Sequence, residues 1–255
     1  MNDIDTRRGT AVVTGASSGI GAATSLALAQ SGYRVIAAAR RTDRLAALGR
    51  QNDLIEAREL DVTDQASVDA LVASLTGEDV TLLVANAGGS FDAATIADAD
   101  IDAWQQAYDV NVLGTVRTVR AVLPLLIASG RGLVVLMGST AGRVSYENGG
   151  SYVAAKHAVA AIAGTLRLEL SGQPVRVTEI APGMVRTDEF AMKRFGGDAE
   201  KAAAVYAGVA EPLTAQDVAE TVTWVATRPA HVNVDLLVVR PVAQAAQHKV
   251  HRVHP

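Results

Sequence analysis

The sequence predicts an α/β protein built as a single doubly wound domain, with a parallel seven-stranded sheet and helices on both faces. Three observations predict it. Apolar segments of strand length alternate with segments of helical period along all 255 residues. The strand segments are unbroken apolar runs rather than alternating ones, as befits strands covered on both faces. No Pro/Gly/Ser-rich linker, charge run or internal repeat divides the chain, so residues 1–255 read as one domain.

The elements follow in order. Ala11-Val12-Val13 is the first strand and residues 20–30 the first helix. Residues 35–39 form a second strand, and residues 44–50 lie in a helix. Residues 56–60 make a weaker third strand, followed by a helix near 65–75. Leu82-Leu83-Val84 is the fourth strand. A long helix covers about 102–128, and Pro124, which lacks an N–H, is expected to kink its end. Residues 133–137 are a fifth strand, 152–170 a helix and 175–180 a sixth strand. Residues 187–210 hold no strong strand and several Gly and Ala, and read as a helical flap. Residues 215–226 are helical, 236–239 are the last strand, and 243–255 form a tail. In such a sheet a ligand sits at the carboxyl ends of the strands.

Composition excludes several classes. Hydrophobic residues make up 49% and charged residues 20%, enough for a sizeable core and incompatible with global disorder. The net charge of -4 lacks the basic balance of a nucleic-acid binder. With no cysteine, disulfide and thiolate chemistry are impossible. The polar, acidic start lacks the apolar stretch of a secretory signal, and no run approaches the ~18 apolar residues of a membrane span. A cytoplasmic protein with no membrane or nucleic-acid partner is expected.

Thr14-Gly15-Ala16-Ser17-Ser18-Gly19-Ile20-Gly21 joins the first strand to the first helix. Glycines there let the backbone turn sharply and approach a pyrophosphate, with the free N–H groups of the helix start facing it. This marks a Rossmann-type dinucleotide site; the competing reading of such a glycine turn is simple packing. Strand two ends in Ala37-Ala38-Ala39-Arg40-Arg41, with no acid where an NAD-binding fold usually places one for the ribose. A guanidinium fork there suits the 2′-phosphate of NADP, so NADP is the expected cofactor, with Arg40 ahead of Arg41. Arginines that merely solvate a loop are the alternative. Asp61-Val62 after strand three could border the adenine, although an Asp there could equally cap the next helix, where Thr63 and Asp64 compete.

Tyr152-Val153-Ala154-Ala155-Lys156 places Tyr152 and Lys156 four apart, on one face of a helix. A nearby ammonium stabilises tyrosinate and is expected to lower the phenol pKa from ~10 toward the working pH. Tyr152 would then serve as general acid and base. As a bare pattern Tyr-x3-Lys is weak, since chance and surface packing explain most instances. Ser139, at the carboxyl end of strand five, adds a hydroxyl that could hold a substrate oxygen or cap the following turn. Asn111, flanked by valines in the long helix, needs a partner if buried; it could equally kink the helix or be satisfied in the core.

Together these residues resemble the short-chain dehydrogenase/reductase family over essentially the whole chain. The resemblance implies that Gly15, Ser17, Ser18, Gly19 and Ile20 bind the cofactor and that Asn111, Ser139, Tyr152 and Lys156 form the catalytic tetrad. Lys156 would also hold the nicotinamide ribose, Asn111 would hold a proton-relaying water, and Ser139 and Tyr152 would bind the substrate oxygen. The family's Asn-Asn-Ala-Gly segment stands here as Ala85-Asn86-Ala87-Gly88, with Ala85 replacing the first Asn and Asn86, Ala87 and Gly88 left beside the cofactor. Its Pro-Gly-x3-Thr segment is Pro182-Gly183-Met184-Val185-Arg186-Thr187, implying that Val185 and Thr187 hold the nicotinamide carboxamide. The cofactor carries the hydride chemistry, and the protein supplies orientation and electrostatics.

Within the family, Gly138-Ser139-Thr140-Ala141-Gly142, Arg176-Val177-Thr178-Glu179-Ile180 and Pro229-Ala230-His231-Val232-Asn233 are similar to the NADP-dependent 3-hydroxy acid and serine 3-dehydrogenases. That branch implies a β-hydroxy acid substrate and a cation for its carboxylate. Arg143, Arg186, Lys193 and Arg194 are candidates, with Arg186 first because it adjoins the nicotinamide segment. The family also implies a homotetramer or homodimer, with the tail reaching a neighbouring subunit. His248, His251 and His254 recur every three residues in that tail, but a loose tail lacks the supporting hydrogen bonds of a metal site, so no metal is expected. The competing function is a non-catalytic NADP-binding regulator on the same fold, which would be expected to have lost Tyr152 or Lys156.

Overall fold

The strands are β1 (Thr10–Thr14), β2 (Arg34–Ala39), β3 (Ile55–Glu59), β4 (Val80–Ala85), β5 (Gly132–Met137), β6 (Val175–Pro182) and β7 (Leu236–Val239). In a computed structural model that describes residues 8–187 and 189–253, they pair in parallel in the order β3-β2-β1-β4-β5-β6-β7. The order reverses between β1 and β4, and a crevice opens there beyond the carboxyl ends.

Continuous apolar runs build this sheet because alternate residues enter two different cores. Ala11, Val13, Val35, Ala37, Leu82, Val84, Leu133 and Val135 are buried on one face with Leu28 and Val222. Those two residues come from α1 (Gly19–Gln30) and α9 (Ala215–Ala226). Val12, Ile36, Leu83 and Val134 are buried on the other face with Val68, Val122 and Val159. These come from α3 (Gln65–Ser74), α5 (Gly114–Ala128) and α6 (Gly150–Glu169). Between strands two and three runs α2 (Thr42–Gly49).

The long helix is continuous from Ile101 to Ala128, but its irregularity is not at Pro124. Between α4 (Ile101–Tyr108) and α5 lies one π-helical segment, Asp109–Leu113, while Pro124 sits inside α5 without ending it. By length and composition alone this helix is long and apolar enough to cross a membrane, which the run-by-run reading did not anticipate. In the fold it lies on the sheet, with Val119, Val122 and Leu126 in the second core.

The flap forms two short helices, α7 (Phe190–Arg194) and α8 (Ala199–Ala204). They bury Ala191, Ala202 and Tyr206 together, against Met184 and Phe195. The tail folds back onto this chain's own flap. Val253 N–H donates to Gly208 C=O at 2.7 Å, and Arg252 Nη2 donates to Val205 C=O at 3.1 Å. His248 and His251 are exposed on it, and His254 lies outside the described residues.

Candidate active site

A cleft of about 680 Å³ runs along the carboxyl ends of the strands, from Arg40 and Arg41 at one end to Tyr152 and Gln247 at the other. That lies within the ~300–1,000 Å³ of small-molecule sites.

The glycine loop forms one wall. Gly15 and Gly19 have φ of +67° and +51°, a left-handed backbone that favours glycine. A Cβ on Gly21 would overlap the Gly15 carbonyl, so the helix can start this close only with glycine there. Ser18 caps α1 without a side-chain hydrogen bond, leaving first-turn N–H groups available to an anion. The Thr14 hydroxyl ties this wall to the next segment by accepting from Asn86 N–H at 3.0 Å and Ala87 N–H at 2.9 Å. Asn86 Nδ2 returns a bond to Thr14 C=O at 2.9 Å. Ala85, where the family has Asn, is buried at the end of β4, while Asn86, Ala87 and Gly88 line the cleft.

The sequence ranks Arg40 above Arg41, but only Arg41 lies on the glycine loop. Its Nε and Nη2 reach Ser17 Oγ at 3.1 and 2.9 Å, and Nη2 reaches Ser18 Oγ at 2.9 Å. Arg40 also borders the cleft, but is 69% exposed and 4.0 Å from Asp61. Asp61 accepts from the Thr63 N–H and hydroxyl, while Asp64 caps α3. Burial raises the Asp61 pKa, but those hydrogen bonds and the Arg40 and Arg117 charges outweigh it and hold the carboxyl below its usual range. Asp61 and Val62 both line the cleft.

A residue the sequence reading missed closes this end. Glu189, at the start of the flap, pairs with Arg41 at 2.6 Å, with Lys193 at 3.0 Å and with Arg44. Ser18 Oγ donates to it at 3.3 Å. The Arg41 hydrogen bond, helped by Lys193 against the cost of burial, pulls the Glu189 pKa down to about 2.

At the other end, β5 delivers Ser139 and the first turns of α6 deliver Tyr152 and Lys156, all buried and all lining the cleft. Ser139 also caps a short turn, Thr140–Gly142, its Oγ accepting from Ala141 N–H at 3.1 Å. Lys156 Nζ donates to Met137 C=O at 2.8 Å and lies 5.6 Å from the centre of the Tyr152 ring. Tyr152 meets Phe190 of the flap edge-on at 5.4 Å.

The expected acidification of the phenol is opposed by its burial. Burial raises the Tyr152 pKa, with the Ser139 hydrogen bond lowering it, Tyr146 adding to the rise and Arg194 opposing it. Burial also lowers Lys156, to about 8, with Glu179 opposing that fall. Taking both groups out of water disfavours both charged forms, and the ammonium is committed to a backbone carbonyl. Burial therefore favours the neutral phenol, a proton donor, and pulls the lysine pKa toward neutral pH.

Asn111 does not line the cleft. It sits in the π segment, with its side chain bonded to Gly89 N–H at 3.2 Å, Gly89 C=O at 2.9 Å and Ala107 C=O at 2.8 Å. The core-satisfied amide is thus the observed arrangement, and its consequence is to clamp the 88–89 loop beside Lys156. A Cβ on Gly88 would overlap Asn111 Oδ1 and come within 3.5 Å of Lys156 Nζ.

Pro182 ends β6, and Pro182, Gly183, Val185 and Thr187 line the cleft, Thr187 over Gly19. Arg186 does not; its guanidinium stacks 5.1 Å over the Tyr206 ring. The alternating direction of an extended segment sends it away from its neighbours Val185 and Thr187. Lys193 is tied to Glu189 and Arg143 to Glu179. Arg194 is the cation that faces the substrate end. It lies over Tyr146 at 5.2 Å and Phe195 at 5.4 Å and donates to Asn148 C=O at 3.1 Å, while its buried Nε has no partner among the described residues. Asn148 holds a left-handed φ of +58° in the loop that presents this carbonyl. The tail adds Gln244, which accepts from Met184 N–H at 2.8 Å, and Gln247, which accepts from the Thr140 hydroxyl at 2.9 Å.

Comparisons with known proteins agree with this geometry. The pattern of the family described as short chain dehydrogenase matches residues 9–195. The chain is 52% identical over 248 residues to an uncharacterized oxidoreductase of Mycobacterium tuberculosis, covering 96% of each. It is 39% identical over 245 residues to an NADP-dependent 3-hydroxy acid dehydrogenase of Escherichia coli, covering 94% of this chain and 98% of that one. Among solved structures, the closed form of a serine dehydrogenase complexed with NADP+ superposes with a TM-score of 0.90 at 38% identity, covering 96% of this chain and 100% of that one. An oxidoreductase cleft with Tyr152 and Lys156 in it, on a sheet shared with these relatives, places the chain in the short-chain dehydrogenase family.

Proposed function

We propose that this protein is an NADP(H)-dependent oxidoreductase that interconverts a carbonyl and an alcohol on a small carboxylate-bearing molecule, a 3-hydroxy acid and its keto or semialdehyde partner. The observation that carries this is one cleft with a glycine loop and the Arg41 fork at one end and Ser139, Tyr152 and Arg194 at the other. The relatives named for NADP and 3-hydroxy acids support it.

The residues fit the cofactor. Left-handed glycines, unclaimed N–H groups and a guanidinium fork suit the diphosphate and 2′-phosphate. When bound, the nicotinamide supplies or accepts the hydride. In our reading Gly15, Ser17, Ser18, Gly19 and Ile20 hold the diphosphate, and Arg41 with Arg40 the 2′-phosphate. Asp61, Val62, Asn86, Ala87 and Gly88 border the adenosine and ribose. Lys156 holds the nicotinamide ribose, and Pro182, Gly183, Val185 and Thr187 surround the carboxamide. Ser139 and Tyr152 grip the substrate oxygen, and Tyr152 gives it a proton in reduction and takes one in oxidation. Asn111 acts through the loop it clamps. Arg194 replaces Arg186 as the anchor for the substrate carboxylate, because it borders the cleft and its Nε has no partner among the described residues. The flap (187–210) and the tail from 243 complete the substrate end.

Following NADPH absorbance across 3-hydroxy acids, their carbonyl partners, sugars and secondary alcohols tests this. Turnover confined to substrates without a carboxylate would reject the 3-hydroxy acid reading. A second copy is expected against the exposed apolar residues Tyr108, Leu113 and Val116 of the long helix, giving a homodimer or homotetramer. Light scattering tests this, with Val116→Glu shifting the mass downward. An enzyme that draws on NADP(H) works where that cofactor is kept, and we place it in the cytoplasm.

A further inference from the structure

Glu179 is fully buried in β6, opposite Leu136 of β5, and the roles above do not use it. Its carboxyl lies against the backbone that leads to Ser139, since a Cβ on Gly138 would overlap Oε1. Its Oε2 pairs with Arg143, the first residue after the Thr140–Gly142 turn. One carboxylate therefore packs against the residue before Ser139 and pairs with the residue that follows the turn. Gly142, in the same turn, abuts the Lys156 backbone closely enough that a Cβ would collide with it.

Oε1 has no hydrogen-bond partner among the described residues. Burial raises the Glu179 pKa, and the charges that pull it back are Arg143 from the turn and Arg167 and Lys156 from α6. Arg167 is engaged with the Asp235 carbonyl at 3.0 Å. Among the described residues Lys156 has the neutral Met137 carbonyl as its bonded partner, and Glu179 is the anion that acts on it. A buried acceptor left unpaired is costly, and a buried ion pair is seldom more stable than apolar groups of the same shape. Stability alone thus gives little reason for a carboxylate here, whereas a carboxylate paired with Arg143 close to a buried lysine has a direct use.

We infer that Glu179 is a positioning residue, which fixes the turn that presents Ser139 and sets a carboxylate against the Met137–Gly138 backbone that Lys156 binds. The inference rests on the proposed role of Lys156 in holding the cofactor.

The test is NADPH binding, read by fluorescence between about pH 6 and pH 10, the range that spans a perturbed lysine. Wild-type affinity falls as pH rises through about 8, where Lys156 loses its charge. In Glu179→Gln that fall begins about one pH unit lower, the shift expected on removing one nearby opposite charge. Glu179→Asp, which keeps the charge, restores the wild-type curve. If Glu179→Gln does not fold, the double variant Glu179→Gln/Arg143→Gln, which removes both members of that ion pair, takes its place, with a smaller shift in the same direction because a cation is lost as well. A curve unchanged from wild type in the folded variant overturns the role of Glu179. A Lys156→Met protein that keeps the alkaline fall overturns the reading of Lys156, and this inference with it.

Discussion

The two ends of the cleft are built differently. The glycine-loop end is made of consecutive residues on rigid elements: Thr14 to Gly21 between β1 and α1, and Asn86 to Gly88 just after β4. The substrate end gathers Tyr146, Phe190, Arg194, Gln244 and Gln247 from a loop, the flap helix α7 and the tail. Ser139, Tyr152 and Lys156 lie at the seam. A site that must accept one invariant molecule can be written as a local motif. A site that selects among molecules is assembled from distant, replaceable pieces.

That contrast can be broken first at the seam. Tyr152→Phe is expected to lower kcat by about 10³-fold, within the range for losing a general acid, while NADPH affinity by fluorescence stays the same. Loss of NADPH binding instead would make Tyr152 part of the cofactor end. Next comes the substrate end. Arg194→Met should raise KM for 3-hydroxy acids by roughly 10- to 100-fold, the worth of a charge-assisted bond, and leave KM for a neutral alcohol unchanged. An equal effect on both substrates would show that Arg194 only supports the flap.

At the cofactor end, Arg41→Gln should reduce the preference for NADPH over NADH about tenfold or more, and Arg40→Gln by less, as measured by the ratio of kcat/KM values. The reverse order would restore the ranking read from the sequence. The smallest effect is expected where the flap closes on the glycine loop. Glu189→Gln removes the tie between flap and glycine loop and should speed NADPH release by about fivefold or less, as befits a partly exposed pair. The sign with pH follows from a depressed carboxylate. The tie is fully present above the ordinary carboxyl value of about 4 and is lost only as pH falls toward 2. Release from the wild type, read by stopped flow, should thus be flat in this respect from neutral pH down to about 4.

The fold was legible almost throughout. The parallel sheet announces itself because runs such as Leu82-Leu83-Val84 must be apolar to enter two cores at once. Thr14, Gly15, Ser139, Tyr152 and Lys156 were legible because their roles depend on spacing along one turn or helix. What was not legible depended on direction and on distance in the chain. Arg186 adjoins the nicotinamide segment in sequence, but its side chain points to Tyr206. Arg40 and Arg41 differ only in which way an irregular turn aims them. Glu189 finds Arg41 across 148 positions, and Gln247 finds Thr140 across 107, pairings no local pattern encodes. The phenol's shift was misjudged because spacing reports the neighbour that charges a group and not the burial that discharges it.

The π segment at Asp109–Leu113 has one more consequence. A wide turn of this kind is an α-helix carrying one surplus residue. Deleting a single residue there would regularise the hydrogen-bond ladder, and on helix criteria alone the edited chain would look improved. But every side chain after the cut would swing by roughly 100° about the axis, because a helix turns once in ~3.6 residues. Val119, Val122 and Leu126 would roll off the sheet, and Asn111 would release Gly89. Reading frame along this rod, more than its strength, is what the surplus residue encodes.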